Sequence, residues 1–247
     1  YIHRYAGRMA VSMAALMIAV SMLVSIGLMI RSFRQGVDHW ISRSISGDLF
    51  VGPVFPSNQG FSQFMDPAVV EEIRSLKDLA HVYAYRGVST EWKGYSLRLW
   101  SGDLEIIRRY GGLAFTEGHG EDIFREVLSG ESLLVSEILA GQLKLKAGDR
   151  LELMTALGPR SFRVAGVFYD YRTEGGAVWM DRRLFQKYWQ DERINGLRLY
   201  LRDPTRIQEV RRKIQERFAD RVTLVVISNR ELRERILKIF DQTFQVT

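Results

Sequence analysis

Residues Met9 to Ile30 (MAVSMAALMIAVSMLVSIGLMI) run for 22 positions without one charged side chain. At about 1.5 Å of rise per residue the run makes a helix of about 33 Å, against a bilayer hydrocarbon core of about 30 Å. A cleaved leader would have an apolar core of about 7–15 residues and then a small-x-small cleavage site, whereas Arg31-Ser32-Phe33-Arg34 follows this run. A core helix of a soluble domain carries an apolar stripe, and one that is apolar on every face needs a very large core around it. The run is therefore read as a membrane span. Ser12, Ala15, Ala19, Ser25 and Gly27 dot it. Such small residues let helices approach closely, which points to a packed bundle rather than a lone anchor. Arg4 and Arg8 precede the span and Arg31, Arg34 and Arg43 follow it, so the positive-inside rule leaves orientation open.

Outside the span and its flanks, roughly 190 residues remain for a water-exposed part, one large domain or two small ones. Hydrophobic content of 46% and charged content of 26% are those of a folded domain. The chain has no cysteine, which excludes disulfides, thiolate metal sites and cysteine nucleophiles. Of the net charge of +6, the densest patch is Arg206, Arg211, Arg212, Lys213 and Arg217, interrupted by Glu209 and Glu216. That pattern is a solvated helix face and not a nucleic-acid footprint. Beside a bilayer, such charge would meet anionic lipid headgroups.

Phe33, Val37, Trp40, Ile41 and Ile45 recur at helical spacing, so the membrane helix is expected to continue as an amphipathic stalk until Gly47 stops it. Asp48–Gly52 reads as a strand, and a loop rich in Gly, Pro, Ser and Asn follows to Gly60. Asp66-Pro67 opens a helix with a capping carboxylate and a proline at the first helical position. His81–Glu91 and Tyr95–Trp100 alternate as a strand pair around Lys93-Gly94. The same grammar returns later, with a strand at Gly196–Arg202, a helix capped by Asp203-Pro204, and a strand at Arg221–Ile227. Two strand–helix–strand units separated by an insertion predict a split ferredoxin-like α+β domain. The expected division is 48–100 with 190–228 for that domain, and 101–189 for an inserted, mostly-β lobe. The lobe's signals are a helix at Ser136–Leu143, strands at Leu151–Met154, Ser161–Tyr169 and Ala177–Met180, and a helix near Arg182–Trp189. Ser228-Asn-Arg-Glu231 is a capping box. It opens a last helix whose apolar stripe is Leu232, Ile236, Ile239, Phe240 and Phe244. Residues 229–247 are expected to lead toward a second span.

Nothing matches the phosphate loop Gly-x-x-x-x-Gly-Lys-Ser/Thr, so no nucleotide cradle is encoded. Glu117-Gly-His119-Gly-Glu121-Asp122 could ligate a metal, but its two glycines read as a polar loop, and no metal or other cofactor is expected. Asp170-Tyr-Arg-Thr-Glu174 reads as a strand-end turn before Gly175-Gly176. His3, His39 and His81 have no nucleophile at a recognisable spacing, so no enzyme is expected.

The charge-free helix ending in Arg31-Ser-Phe-Arg, followed by Asp48-Leu-Phe-Val, resembles the permease subunits of FtsX/MacB-type ABC transporters. So do Leu134-Val-Ser-Glu-Ile-Leu-Ala, Leu145-Lys-Ala-Gly-Asp-Arg-Leu, Phe162-Arg-Val-Ala-Gly-Val-Phe-Tyr-Asp-Tyr and Leu237-Lys-Ile-Phe-Asp-Gln-Thr-Phe. The order of these pieces along nearly the whole chain carries the resemblance. It implies an inner-membrane protein, with residues 1–8 cytoplasmic and a porter-type domain with its inserted lobe outside. It also implies a fragment, most similar to the second half of a duplicated permease and lacking the later spans. The implied partners are a cytoplasmic ABC ATPase, the remaining permease helices or a second half, a periplasmic accessory protein, and membrane lipid. The implied function is movement of a lipid, lipoprotein or small hydrophobic compound, driven by ATP hydrolysis on the cytoplasmic side. The alternative is a non-transporting scaffold that transmits the motion to an extracytoplasmic partner. Phe33, Val37, Trp40 and Ile41 with Leu232, Ile236, Ile239 and Phe240 are the candidates for mechanical coupling, paired as antiparallel helices.

Overall fold

The charge-free run lies within one long helix, α1 (Ala6–Ser44). In the computed structural model, backbone is described for residues 6–53, 63–92, 94–170 and 175–244, and the side chains of 6–8, 37–44 and 239–244 lie outside the described residues. Met9–Gly36 has a mean hydropathy of 2.5 over its most apolar stretch, none of which is buried by protein. Leu16, Met17 and Leu23 are 65–72% exposed. In water that area would be strongly unfavourable, whereas in hydrocarbon it costs nothing. Residues 43–232 form one compact unit, and residues 1–42 with 233–247 form another.

Within 43–232 the strands are β1 (Leu49–Pro53), β2 (Leu79–Trp92), β3 (Tyr95–Gly102), β4 (Ser132–Ser136), β5 (Arg150–Thr155), β6 (Gly158–Phe168), β7 (Gly176–Asp181), β8 (Gly196–Leu201) and β9 (Leu224–Ser228). They make one sheet in the order β5-β6-β4-β7-β3-β2-β8-β1-β9. The last four, β2-β8-β1-β9, are antiparallel throughout. Helix α2 (Pro67–Arg74) joins β1 to β2, and α7 (Ile207–Phe218) joins β8 to β9. This is the split ferredoxin arrangement. Both helices bury one face, Val69, Val70 and Ile73 from α2 and Val210, Ile214 and Phe218 from α7, against Leu49, Val51, Leu197 and Leu199. Asp66 caps α2 by accepting from the Ala68 amide at 2.8 Å. Asp203-Pro204 caps a short 3₁₀ turn, and α7 begins only at Ile207.

The stretch from β3 to β7 carries the sheet onward: β3 runs antiparallel to β2 and parallel to β7. On one face α5 (Glu137–Leu143) and α6 (Arg182–Trp189) cover Leu97, Leu99, Val135 and Phe162. On the other, α3 (Leu104–Tyr110) and α4 (Gly120–Ser129) cover Tyr83, Phe168 and Trp179. The patterning did not separate α3 and α4, and it read Glu117–Asp122 as a loop. Instead, α4 starts at Gly120, with Glu121 and Asp122 in its first turn, where carboxylates meet the positive end of the helix dipole. Residues 54–62 and 171–174 and Lys93 lie outside the described residues, and with them most of the loop to Gly60, the Tyr171–Glu174 turn and half of the Lys93-Gly94 turn.

Candidate functional site

The mechanical coupling implied by the resemblance would act where the chain enters and leaves the 43–232 unit, and polar groups converge there. Gly47 has φ +107°, a left-handed backbone that favours glycine, and a Cβ at this position would sit 3.3 Å from that of Arg198. The turn lays Asp48 along β8: its amide donates to the Leu199 carbonyl at 2.8 Å, and its Oδ2 accepts from the Leu201 amide at 2.7 Å. Ser46 Oγ donates to the Gly111 carbonyl at 2.9 Å and shares a hydrogen bond with the Tyr200 hydroxyl at 2.9 Å. The Tyr200 ring stacks on Tyr110 at 4.1 Å, and burial pushes its hydroxyl pKa up.

The outgoing segment joins the incoming one through Asn229, the first residue of α8 (Asn229–Phe244). Its side-chain amide donates to the carbonyls of Ile45 at 3.1 Å and Gly47 at 2.6 Å, and its backbone amide donates to Asp48 at 3.0 Å. The box around it closes reciprocally. The Ser228 amide donates to Glu231 Oε2 at 3.1 Å, and the Glu231 amide donates to Ser228 Oγ at 3.3 Å. Arg211 of α7 meets Glu231 at 2.9 Å. The Ser228 amide and that guanidinium together hold the Glu231 carboxyl below its usual range. Incoming and outgoing backbones are thus hydrogen-bonded to one another and to β8.

Of the residues expected to couple, Phe33 is 49% exposed, and Leu232 and Ile236 are half-buried. The side chains of Val37, Trp40, Ile41, Ile239 and Phe240 lie outside the described residues. Sequence reasoning missed Ser46, Asp48, Tyr200 and the bridging role of Asn229. The signal available was the capping box itself, read there as a helix start alone.

The basic patch on and beside α7 is matched side chain by side chain. Arg206 and Lys213 meet Asp78 at 2.9 and 2.8 Å. Arg217 and Arg221 meet Glu72 at 3.2 and 2.7 Å, and Arg212 meets Glu216 at 3.6 Å. Exposed pairs like these add little stability, but they leave no array of unmatched cations for a phosphate backbone. Near His119, Glu121 pairs with Arg108 and Asp122 with Arg125, each at 3.0 Å. No group of three or more His, Asp or Glu side chains gathers for a metal among the described residues.

The family model of the MacB-like periplasmic core domain matches residues 9–217. The chain belongs to that family. An uncharacterised ABC transporter permease protein of Mycobacterium tuberculosis is 28% identical over 249 residues, covering 99% of this chain and 29% of the relative. The chain thus spans less than a third of that curated relative. Among solved structures, the periplasmic region of MacB from Actinobacillus actinomycetemcomitans shares the fold, with a TM-score of 0.52 at 11% identity. The match covers 77% of this chain and 92% of that one. The extracellular domain of the noncanonic ABC-type transporter YknZ from Gram-positive bacteria matches over 74% of this chain and 100% of that one, with a TM-score of 0.48 at 12% identity. The MacB-type resemblance drawn from the sequence therefore holds, and so does the α+β class. The protein is an inner-membrane one with an N-terminal apolar helix and an extracytoplasmic MacB-like domain.

Proposed function

We propose that this chain forms the first span and outer domain of a MacB-type ABC-transporter permease, and that the domain is moved mechanically by a cytoplasmic ATPase to handle substrate outside the membrane. The supporting observation is the fastening of Ile45–Asp48 to Asn229, which makes the two connections to the membrane side act as one. The part is not itself an enzyme: the sequence has no phosphate loop, and ATP turnover belongs to the partner. The substrate class carried over from the resemblance is a lipid, lipoprotein or small hydrophobic compound.

The test uses the parent permease reconstituted with its ATPase, carrying spin labels at Arg8 and at exposed Glu152 of β5. ATP should change the label separation in the wild type. Asn229→Ala should reduce that change while the ATPase assayed alone keeps its turnover. A separation indifferent to nucleotide in the wild type would overturn the reading.

A further inference from the structure

A cleft of about 630 Å³ opens between α2, α6 and residues 192–194, with Phe64, Met65, Val70 and Ile194 among its apolar lining and three arginines, Arg74, Arg182 and Arg193, against two carboxylates, Glu71 and Glu192, on its wall. Arg74 and Arg182 also line a neighbouring cleft of about 460 Å³ beside Asp103 and Asp181. Both volumes lie in the range of small-molecule sites, about 300–1,000 Å³. The arginines around these clefts differ in one respect. Arg74 meets Glu71 at 2.7 Å, Arg193 meets Asp191 at 2.9 Å and Arg183 meets Asp181 at 2.9 Å. Arg182 bonds no carboxylate among the described residues. Its Nη2 donates to the main-chain carbonyls of Glu192 at 2.6 Å and Arg193 at 3.3 Å, and its Nη1 is buried without an acceptor.

A half-buried guanidinium in that state has lost hydration without gaining a direct bond to a carboxylate. Burial depresses its pKa; the attraction of Asp191 and Glu192 opposes that, and repulsion from Arg74 and Arg86 adds to it. An anion between Arg74 and Arg182 would neutralise the repulsion and accept charge-assisted hydrogen bonds from planar donors suited to oxyanions. The apolar lining alongside would suit the first carbons of a chain attached to that anion.

We propose that this cleft binds the phosphate or carboxylate headgroup of an anionic amphiphile, held by Arg182 and Arg74, with Phe64, Met65, Val70 and Ile194 against its apolar part. The assignment stands apart from the permease reading, because it concerns binding to the resting protein and needs no ATPase.

The test is calorimetric titration of the full chain in neutral-detergent micelles with hexyl phosphate, inorganic phosphate and hexanol. Hexyl phosphate should saturate one site, bind at least tenfold more tightly than inorganic phosphate, and weaken as salt rises, while hexanol shows no saturable heat. Arg182→Gln and Arg74→Gln should each raise the hexyl phosphate Kd about tenfold or more. Among the described residues Arg74 is bonded only to Glu71, so R74Q keeps the test meaningful should R182Q loosen the 192–193 carbonyls. Equal affinity for inorganic phosphate would remove the amphiphile from the proposal. Hexyl phosphate binding unchanged in both variants would overturn the site.

Discussion

Asp191 is gripped by two guanidiniums. Arg86 meets it at 2.9 Å with 8% and 11% of the paired side chains exposed, and Arg193 holds the same carboxylate through Nε and Nη2, each at 2.9 Å. Both guanidiniums also lie over the Phe64 ring, at 4.8 and 4.4 Å. Burial pushes the Asp191 carboxyl up, but the bonds from Arg193 and Arg86 outweigh it, and the net shift is downward. The folded pKa thus lies below the unfolded value of about 3.9. The stabilisation is complete well above pH 4 and is lost as pH falls through the folded pKa. Arg86→Ala should therefore cost about 3 kcal/mol at pH 7, because it leaves a buried charge short of a partner. In thermal unfolding the gap from wild type should narrow below about pH 4, and a gap constant down to pH 2 would contradict the assignment. Asn229 offers a second case. Alanine removes two hydrogen bonds to carbonyls, about 1–3 kcal/mol in all. Asn229→Asp keeps the shape but turns a carboxylate toward the Ile45 and Gly47 carbonyls, so its melting temperature should fall below that of N229A.

At the scale of elements, glycines show where strands carry side chains flat across the sheet. A Cβ on Gly102 would lie 2.0 Å from the Tyr83 hydroxyl and 2.2 Å from its ring carbon, and Tyr83 is 1% exposed. Gly102→Ala should lower stability in urea by about 1–3 kcal/mol through overpacking. Gly141 of α5 has nothing within 4 Å of such a Cβ, so Gly141→Ala should raise it by about 0.5–1 kcal/mol. Elements with a clean period were legible in the sequence. The alternation of β2 and β3 gave a hairpin, and the Asp66-Pro67 cap gave α2. Helices α3 and α4 were not, being 7 and 10 residues long with buried triplets, Leu104/Ile106/Ile107 and Ile123/Phe124/Val127, that lack a repeated turn. The candidate site was less legible still. Its bonds join backbone to polar side chains across 182–184 residues, as between Asn229 and Gly47 or Ile45, and such pairings leave no local period.

For the whole molecule, the proposed function requires motion in the membrane to reach residues 43–232. The stripe Phe33, Val37, Trp40, Ile41 on the incoming helix and the stripe Leu232, Ile236, Ile239, Phe240 on the outgoing one would each leave apolar area in water if exposed singly. Residues 233–247 fall in one compact unit with 1–42 rather than with the outer domain, in keeping with the pairing proposed for these helices. Paired helices whose connections are joined at Asn229 would, in the proposed function, transmit a tilt of one as a swing of the domain. If the helices pair as proposed, Trp40→Ala should cost about 3–5 kcal/mol of local packing and abolish substrate movement in the assembled transporter, while the ATPase assayed alone keeps its turnover. The geometric check is oxidative crosslinking of engineered cysteines, which the chain's lack of native cysteine makes clean. Cysteine at Val37 paired with cysteine at Ile236, scanned one turn either way, should give a disulfide at one register, since bridging needs Cα atoms within about 7 Å. A scan with no crosslink at any register would separate the two helices and remove the lever, leaving Asn229 as a fastening of the domain's own base.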